Sequence, residues 1–549
     1  MKHLLLLLAA CAAGIAHAAD PVRFDWFEYT GRDTAGDYRL PAGHYRNPIL
    51  AGYYPDPSVT RVGDKFYLVN STFAHWPGIP IHESTDLVNW KLVGYALNDP
   101  TKVNFDGLGT SRGVFAPSIH FHDGTWYVIN TLVDAGGNFF VTAKDPTGPW
   151  SDPVWLKDID GIDPSFFFDD DGKAYILNNG PPEGAPLYNG HRAIWIQEFE
   201  LASQRFTGPR KVIVNGGVDL ASKPIWIEGP HLYRIRGAYY LMCAEGGTGD
   251  GHSEVIFRAK SPWGPFEPYK RNPILTQRDL PKDRDNAVSS AGHADLVQRQ
   301  DGSWWAVFLA TRPYSGERFN TGRETFLLPV TWKDGWPLIL PPHTTVPLLV
   351  SAQVGRVTNY VRREGRQGAH IQRDEFKGTS ETEWLQVRVP KQPWYRMDQG
   401  ALEITALPVN LEQKLNPSFL ARRQQDQRFD ASTQLVARLA PGISAGIAVY
   451  QNEDHWFFLG TKTQGAQRLF LERRAGATTE VIAEASIAAP PETLRLRVSA
   501  EGPNYSFYYD AGKGWQALRE NADGSILSTE IAGGFVGTVL GPFARQENP

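Results

Sequence analysis

One short pattern recurs along this chain and limits what it can fold into. It reads Tyr53-Tyr54-Pro55-Asp56-Pro57-Ser58-Val59, then Ala116-Pro117-Ser118-Ile119, Asp163-Pro164-Ser165-Phe166, Glu228-Gly229-Pro230-His231 and Gly292-His293-Ala294-Asp295. The repeats start at positions 56, 116, 163, 228 and 292, which are 60, 47, 65 and 64 residues apart. In each unit a first apolar run meets a turn (Gly63-Asp64, Asp123-Gly124, Asp171-Gly172, Arg236-Gly237, Asp301-Gly302), and a second, aromatic-rich run follows. Gly and Asp between two strand patterns mark hairpins. Five hairpin-led units with a drifting period predict an all-β chain that opens with a five-bladed β-propeller, each blade of about four strands.

Innermost strands of such blades point one end at a shared axis, so residues far apart in sequence converge there. Three units carry an acid at or next to the equivalent point: Asp56, Asp163 and Glu228. A lone Asp there caps a turn, but turn chemistry gives no reason to repeat an acid at matching points of three blades. The prolines on either side of Asp56 fix φ and push their preceding residues toward extended geometry. That stiff backbone suits a carboxylate that must be aimed. Acids crowded in a poorly solvated pocket repel one another's charge, so one holds its proton to higher pH. The residues alone do not say which.

Over residues 45 to 345 the chain resembles glycoside hydrolase family 43, the five-bladed propeller enzymes that attack xylan and arabinan. The resemblance lies in Asn47-Pro48-Ile49-Leu50, Pro55-Asp56-Pro57-Ser58, Ser71-Thr72-Phe73, Ser84-Thr85-Asp86-Leu87-Val88-Asn89-Trp90, Ile162-Asp163-Pro164-Ser165, Glu228-Gly229-Pro230-His231 and Gly322-Arg323-Glu324-Thr325, in the family's order. It implies that Asp56 is the general base, Glu228 the general acid and Asp163 the carboxylate that tunes the acid and orients substrate. Glycosidic cleavage with inversion needs such a base and acid, about 6.5–9.5 Å apart so that water fits between. The resemblance also implies that Arg323 binds the terminal sugar's hydroxyls. His293, at the fifth blade's equivalent point, would touch substrate or, through water, a structural calcium. No cofactor is required, and a lone His is no metal motif. Phe115 stands where the family often has Trp, which keeps an apolar face and loses the indole donor.

The implied activity is exo-acting release of xylose or arabinofuranose from xylo-oligosaccharides or arabinoxylan fragments, with a mainly α-L-arabinofuranosidase activity as the alternative. A retaining propeller acting on fructosides would be expected to carry an Asn-Asp-Pro-Asn type motif where this chain has Pro55-Asp56-Pro57-Ser58. A non-catalytic carbohydrate-binding propeller would have no need of all three acids. Phe73 and Trp76, in the Pro- and Gly-containing segment 73–78, are expected to form a wall for a sugar with Phe115. The Gly-rich run 245–251 lacks the Lys of a phosphate loop and is expected at the pocket rim. Asp169-Asp170-Asp171-Gly172 lacks the spacing of a calcium loop and reads as a hairpin turn with solvated acids.

The rest divides as follows. Residues 1–18 read as a signal peptide: Lys2 and His3, an apolar run Leu4 to Ala13, then Ala16-His17-Ala18. This predicts export to the periplasm or beyond. Leu8-Ala9-Ala10-Cys11 resembles a lipoprotein box but falls too early for one, so anchoring is not expected. Cleavage leaves Cys243 alone, so core burial rather than a disulfide holds the fold. No later stretch reaches 18 apolar residues, so no membrane span is expected. A net charge of −5 gives no reason to expect nucleic acid as a partner. The oligomeric state is not legible. Residues 19–46 show aromatics without a clear period and are expected to pack on the propeller (47–345). A connector (346–371) leads to short alternating strands over 372–549, a β-sandwich resembling the concanavalin-like jelly roll of one branch of the family. Its Gly-rich stretch around Phe535 is expected to reach the propeller pocket or to be sandwich core.

Overall fold

The computed structural model describes residues 21–33, 41, 43–351, 370–378 and 383–547. The stretch read as a signal peptide, with Cys11, and most of the connector lie outside the described residues.

Five antiparallel units, three of four strands and two of five, follow one another as the repeats predict. Blade one is Ser58–Val62, Lys65–Val69, Gly78–Ser84 and Lys91–Leu97. The inner strands of the other four are Ser118–His122, Ile162–Phe168, Glu228–Ile235 and Ser289–Gln298. These five inner strands touch in ring order, the fifth returning to the first. The turn chemistry is local: at Asp123-Gly124 and Arg236-Gly237 both residues have positive φ, the two-residue hairpin geometry that matches strand twist. The ring is sealed by side chains. Asp295 of blade five accepts hydrogen bonds from the Ser58 hydroxyl and the Val59 N–H of blade one, both at 2.8 Å. Asn47 mimics a strand partner, exchanging two 2.9 Å bonds with the Leu327 backbone.

The C-terminal unit is two facing sheets. Strand Thr493–Glu501 shows why: Leu494, Leu496, Val498 and Ala500 are buried while Arg495 and the residues between them turn outward, the period of two of a half-buried strand. They pack with Phe24, Phe27, Ile447, Phe457 and Phe507 in one core. The described segment Gly524–Leu527 and a one-turn helix, Thr529–Ala532, interrupt the strands just before the Phe535 loop.

Two expectations are corrected here. The N-terminal segment packs on the propeller only in part: Tyr45 is buried in the propeller core and donates to the Leu327 carbonyl at 2.6 Å, whereas the strand before it belongs to the sandwich. Val22–Gly31 is an interior strand of the sandwich, between Arg428–Val436 and Ala401–Ile404, and also pairs with His370–Asp374. A register shift between Phe24 and Trp26 breaks the alternation, which is why the sequence shows no period. Asp169 is not solvated either. It is buried and accepts from Arg234 (3.0 Å) and Tyr239 (2.7 Å) of blade four. Cys243 is free and buried. No helix among the described residues is long and apolar enough to cross a membrane.

The two units share one sheet. His75–Trp76 of the propeller pairs with Leu385–Val387, at the edge of a sandwich sheet. Across the same seam Arg423 donates to the Tyr53 carbonyl at 2.7 Å and stacks on Tyr54 at 3.9 Å. Thr538 donates its N–H to the Asn320 carbonyl at 2.8 Å. Beside it two glycines meet: a Cβ on Gly537 would lie 2.5 Å from the Thr321 oxygen and 2.8 Å from the Gly322 nitrogen. Gly537→Ala should therefore force the seam apart and cost about 1–3 kcal/mol. A lowered thermal unfolding midpoint is expected, and an unshifted one would show that the seam has slack.

Candidate active site

The propeller axis opens into a cavity of about 340 Å³ lined by Asp56, Phe73, Arg112, Phe115, Ala116, Ile162, Asp163, Trp226, Glu228, Gly247, Thr248, His293, Arg323 and Phe535. That size sits at the lower end for small-molecule sites. Asp56, Asp163 and His293 have φ of 53°, 54° and 51°. Non-glycine residues there are strained, and all three stand at the same point of their repeats. In blade four the equivalent residue is Gly229, also at positive φ (57°), where a Cβ would lie 2.9 Å from the His293 ring. The acid of that blade is therefore displaced by one residue, to Glu228.

Electrostatics separates the three carboxyls. Asp56 is buried and takes a salt bridge from Arg323 at 2.9 Å, with a hydrogen bond from the Ser71 hydroxyl. Burial opposes its ionisation, but the Arg323 guanidinium and the Ser71 hydroxyl outweigh it and hold the carboxyl below its ordinary value. Arg323 also donates to Thr248 Oγ1 at 2.8 Å. Among the described residues Asp163 accepts a hydrogen bond only from the Gly229 N–H, at 3.2 Å, and burial with the nearby Glu228 and Asp56 pushes it well up. Burial and the Asp56 charge push Glu228 up to about 7, against Arg323 and Arg192. One buried carboxylate and one buried carboxylic acid are thus available together at neutral pH.

Three phenylalanines box the Arg323 side of the cavity. Phe73 lies 5.3 Å from Phe115 and 5.9 Å from Phe535, and Phe115 meets Phe535 at 5.9 Å. The Arg323 guanidinium stands 5.6 Å from the Phe73 and Phe535 rings. Phe535 arrives from the sandwich, its N–H bonded to Ser111 Oγ at 2.9 Å.

Trp76 is not part of this wall. It is buried in the core between blades one and two, 6.1 Å from Phe105, because pairing with the sandwich edge turns it away from the axis. His293 faces Asp56 with Nδ1 at 3.8 Å, and burial pushes its own value down to about 4, so the ring is neutral. Among the described residues no three His, Cys, Asp or Glu side chains gather to hold a metal ion; the calcium expectation has only His293 behind it. Sequence reasoning did not single out Ser71, Arg112, Thr248 or Trp226. Ser71 lay inside a quoted motif and Thr248 inside the Gly-rich rim, but nothing in composition marked either.

Residues 45–337 match the family described as glycosyl hydrolases family 43, and residues 373–549 match the beta xylosidase C-terminal concanavalin A-like domain. A xylosidase/arabinosidase of Butyrivibrio fibrisolvens is 38% identical over 513 residues, covering 91% of this chain and 95% of its own. A non-reducing end alpha-L-arabinofuranosidase of Bacteroides ovatus is 37% identical, covering 91% of each chain. The crystal structure of a GH43_12 protein retrieved from a capybara gut metagenome superposes with a TM-score of 0.89 at 39% identity, covering 96% of this chain and all of that one.

The raised Glu228 has a consequence for stability. Its native carboxyl holds a proton more tightly than in the unfolded chain, so ionisation opposes folding, and stability falls as pH rises from the ordinary carboxylate range through about 7. Glu228→Gln removes that slope. The variant should melt with the wild type near pH 5 and several degrees above it near pH 8, measured by calorimetry. Parallel melting curves across that range would mean that Glu228 carries no raised value.

Proposed function

The chain belongs to glycosyl hydrolases family 43, and from that premise we propose that it is an exo-acting, inverting glycosidase. It releases terminal xylose, and arabinofuranose where that is offered, from xylo-oligosaccharides and arabinoxylan fragments. The observation that carries this reading is the split between Asp56, paired with Arg323 and held ionised, and Glu228, raised to about 7, in one cavity.

In this reading Asp56 takes a proton from water as its oxygen attacks the anomeric carbon. Glu228 gives its proton to the leaving oxygen as the glycosidic bond breaks. Asp163 orients Glu228 through the Gly229 backbone. Arg323 and Thr248 hold the terminal sugar's hydroxyls, and the phenylalanine box takes its apolar face. Phe535, reaching in from the sandwich, blocks the continuation of the chain past the terminal sugar, which supports exo action. The names of the relatives support the substrate class. The Bacteroides ovatus relative, at 37% identity, favours the second reading, in which arabinofuranosides are the main substrate.

Turnover of nitrophenyl β-xyloside against nitrophenyl α-L-arabinofuranoside decides between the two readings; no turnover of either would overturn both. Asp56→Asn should keep its fold and lose about 10²–10⁴-fold in kcat. Azide should restore part of that loss, and NMR at early times should show the inverted sugar. The wild-type rate should decline as pH rises past about 7, where Glu228 loses its proton, and hold on the acid side to below the ordinary carboxylate range, where Asp56 stays ionised. Glu228→Gln should be hit far less on a substrate with a good leaving group than on xylobiose. Equal loss on both would move the proton donor to Asp163.

A further inference from the structure

Trp226 lines the cavity two residues before Glu228, yet 40% of its surface is exposed, and the adjacent Ile225 is 43% exposed. Its φ is 51°, a strained value for a bulky residue. The surroundings enforce it. The Trp226 N–H donates to the Gly190 carbonyl at 2.9 Å. Tyr188 Oη donates to the Pro224 carbonyl at 2.7 Å, and Asn179 Nδ2 to the Ile227 carbonyl at 2.6 Å. The Arg192 guanidinium lies 4.9 Å from the indole and is itself fixed by two bonds to Asn179 Oδ1, at 3.1 and 2.8 Å. Asn179 thus ties the backbone beside Trp226 to the cation on its ring. A costly backbone conformation, locked from both sides, holds an aromatic face open at the mouth of the pocket.

We propose that Trp226 is the platform on which the leaving-group sugar lies, with Arg192 as its positioning residue. The inference rests on the reading of Glu228 as proton donor. A donor must reach the oxygen between the two sugars, so the departing sugar lies on the Glu228 side of the cavity. Trp226 is on the chain leading into Glu228, whereas the phenylalanine box surrounds Arg323. One face of a pyranose is a patch of C–H groups, complementary to the negative face of an indole. An indole pinned in advance loses little freedom when the sugar lands on it. Arg192 under the ring strengthens the lock by a cation–π contact.

The test compares xylobiose with xylosyl fluoride, whose leaving atom is too small to rest on the platform; if the wild type prefers arabinofuranosides, the matching disaccharide and fluoride are used. Trp226→Ala should lower kcat/KM on the disaccharide about tenfold or more and on the fluoride by about threefold at most. Trp226→Phe should recover most of the disaccharide rate. Arg192→Met should show the same split in smaller measure, and Arg192→Lys should lessen it. Equal losses on both substrates, or no loss on either, overturn the platform. A wild type inactive on every one of these substrates overturns the functional reading and the platform with it, a result distinct from an active wild type whose Trp226→Ala variant shows no split.

Discussion

The site depends on one buried ion pair, Asp56 with Arg323. Three carboxyl groups open into one small cavity, and one of them holds the guanidinium at 2.9 Å. That contact keeps Asp56 charged, and the charge of Asp56 in turn helps push Glu228 toward 7. The states of Asp56 and Glu228 are therefore not two independent adjustments. In a poorly solvated site the same charge acts more strongly than it would in water, so a change at Arg323 must move both carboxyls at once. Ser71 and the neutral His293 complete the surroundings of Asp56 without adding a competing cation.

What fixes that pair is largely the second domain. Gly322, next to Arg323, is pressed by Gly537 of the sandwich. Tyr53 and Tyr54, just before Asp56, are held by Arg423, also of the sandwich. Within the propeller, Tyr54 donates its N–H to the Arg323 carbonyl at 3.0 Å, and Thr325 donates its hydroxyl to the Tyr54 carbonyl at 2.6 Å. The backbones that carry the two partners are thus bonded to each other and clamped from outside. The sandwich bears directly on the geometry of the ion pair, besides supplying Phe535.

The propeller was legible because its signals are local and repeated: hairpin turns whose residues require positive φ, and an acid at one point of several units. The convergence of Asp56, Asp163, Glu228, His293 and Arg323 followed from that repetition together with family resemblance. What the sequence hid was set by tertiary contact. A bulge erased the period of Val22–Gly31, and its partners are some 400 positions downstream in numbering, at Arg428–Val436. Trp76 looked like a wall residue because it lies near Phe73, but pairing with Leu385–Val387 aims it into the core. Asp169 looked solvated in a run of three acids, and its partners Arg234 and Tyr239 lie in the next blade. Ser71, Thr248 and Trp226 are ordinary residue types whose roles come from what folds against them.

The strained backbone at the axis determines which substitutions report on chemistry. Asp56, Asp163 and His293 occupy the left-handed region, where a residue without a short polar side chain costs about 1–3 kcal/mol. Asn tolerates that region about as well as Asp does. An amide at position 56 therefore leaves the backbone term alone and removes the negative charge that pairs with Arg323, while its carbonyl oxygen can still accept one hydrogen bond. Alanine at the same position would add backbone strain to an open space beside an unpaired buried guanidinium, and its loss of activity would mix three causes. In blade four the left-handed position is taken by Gly229, which adopts it without strain, so a substitution of the Glu228 carboxyl carries no backbone penalty. The two acids differ in how their variants must be read, and the difference comes from a single residue of offset between blades.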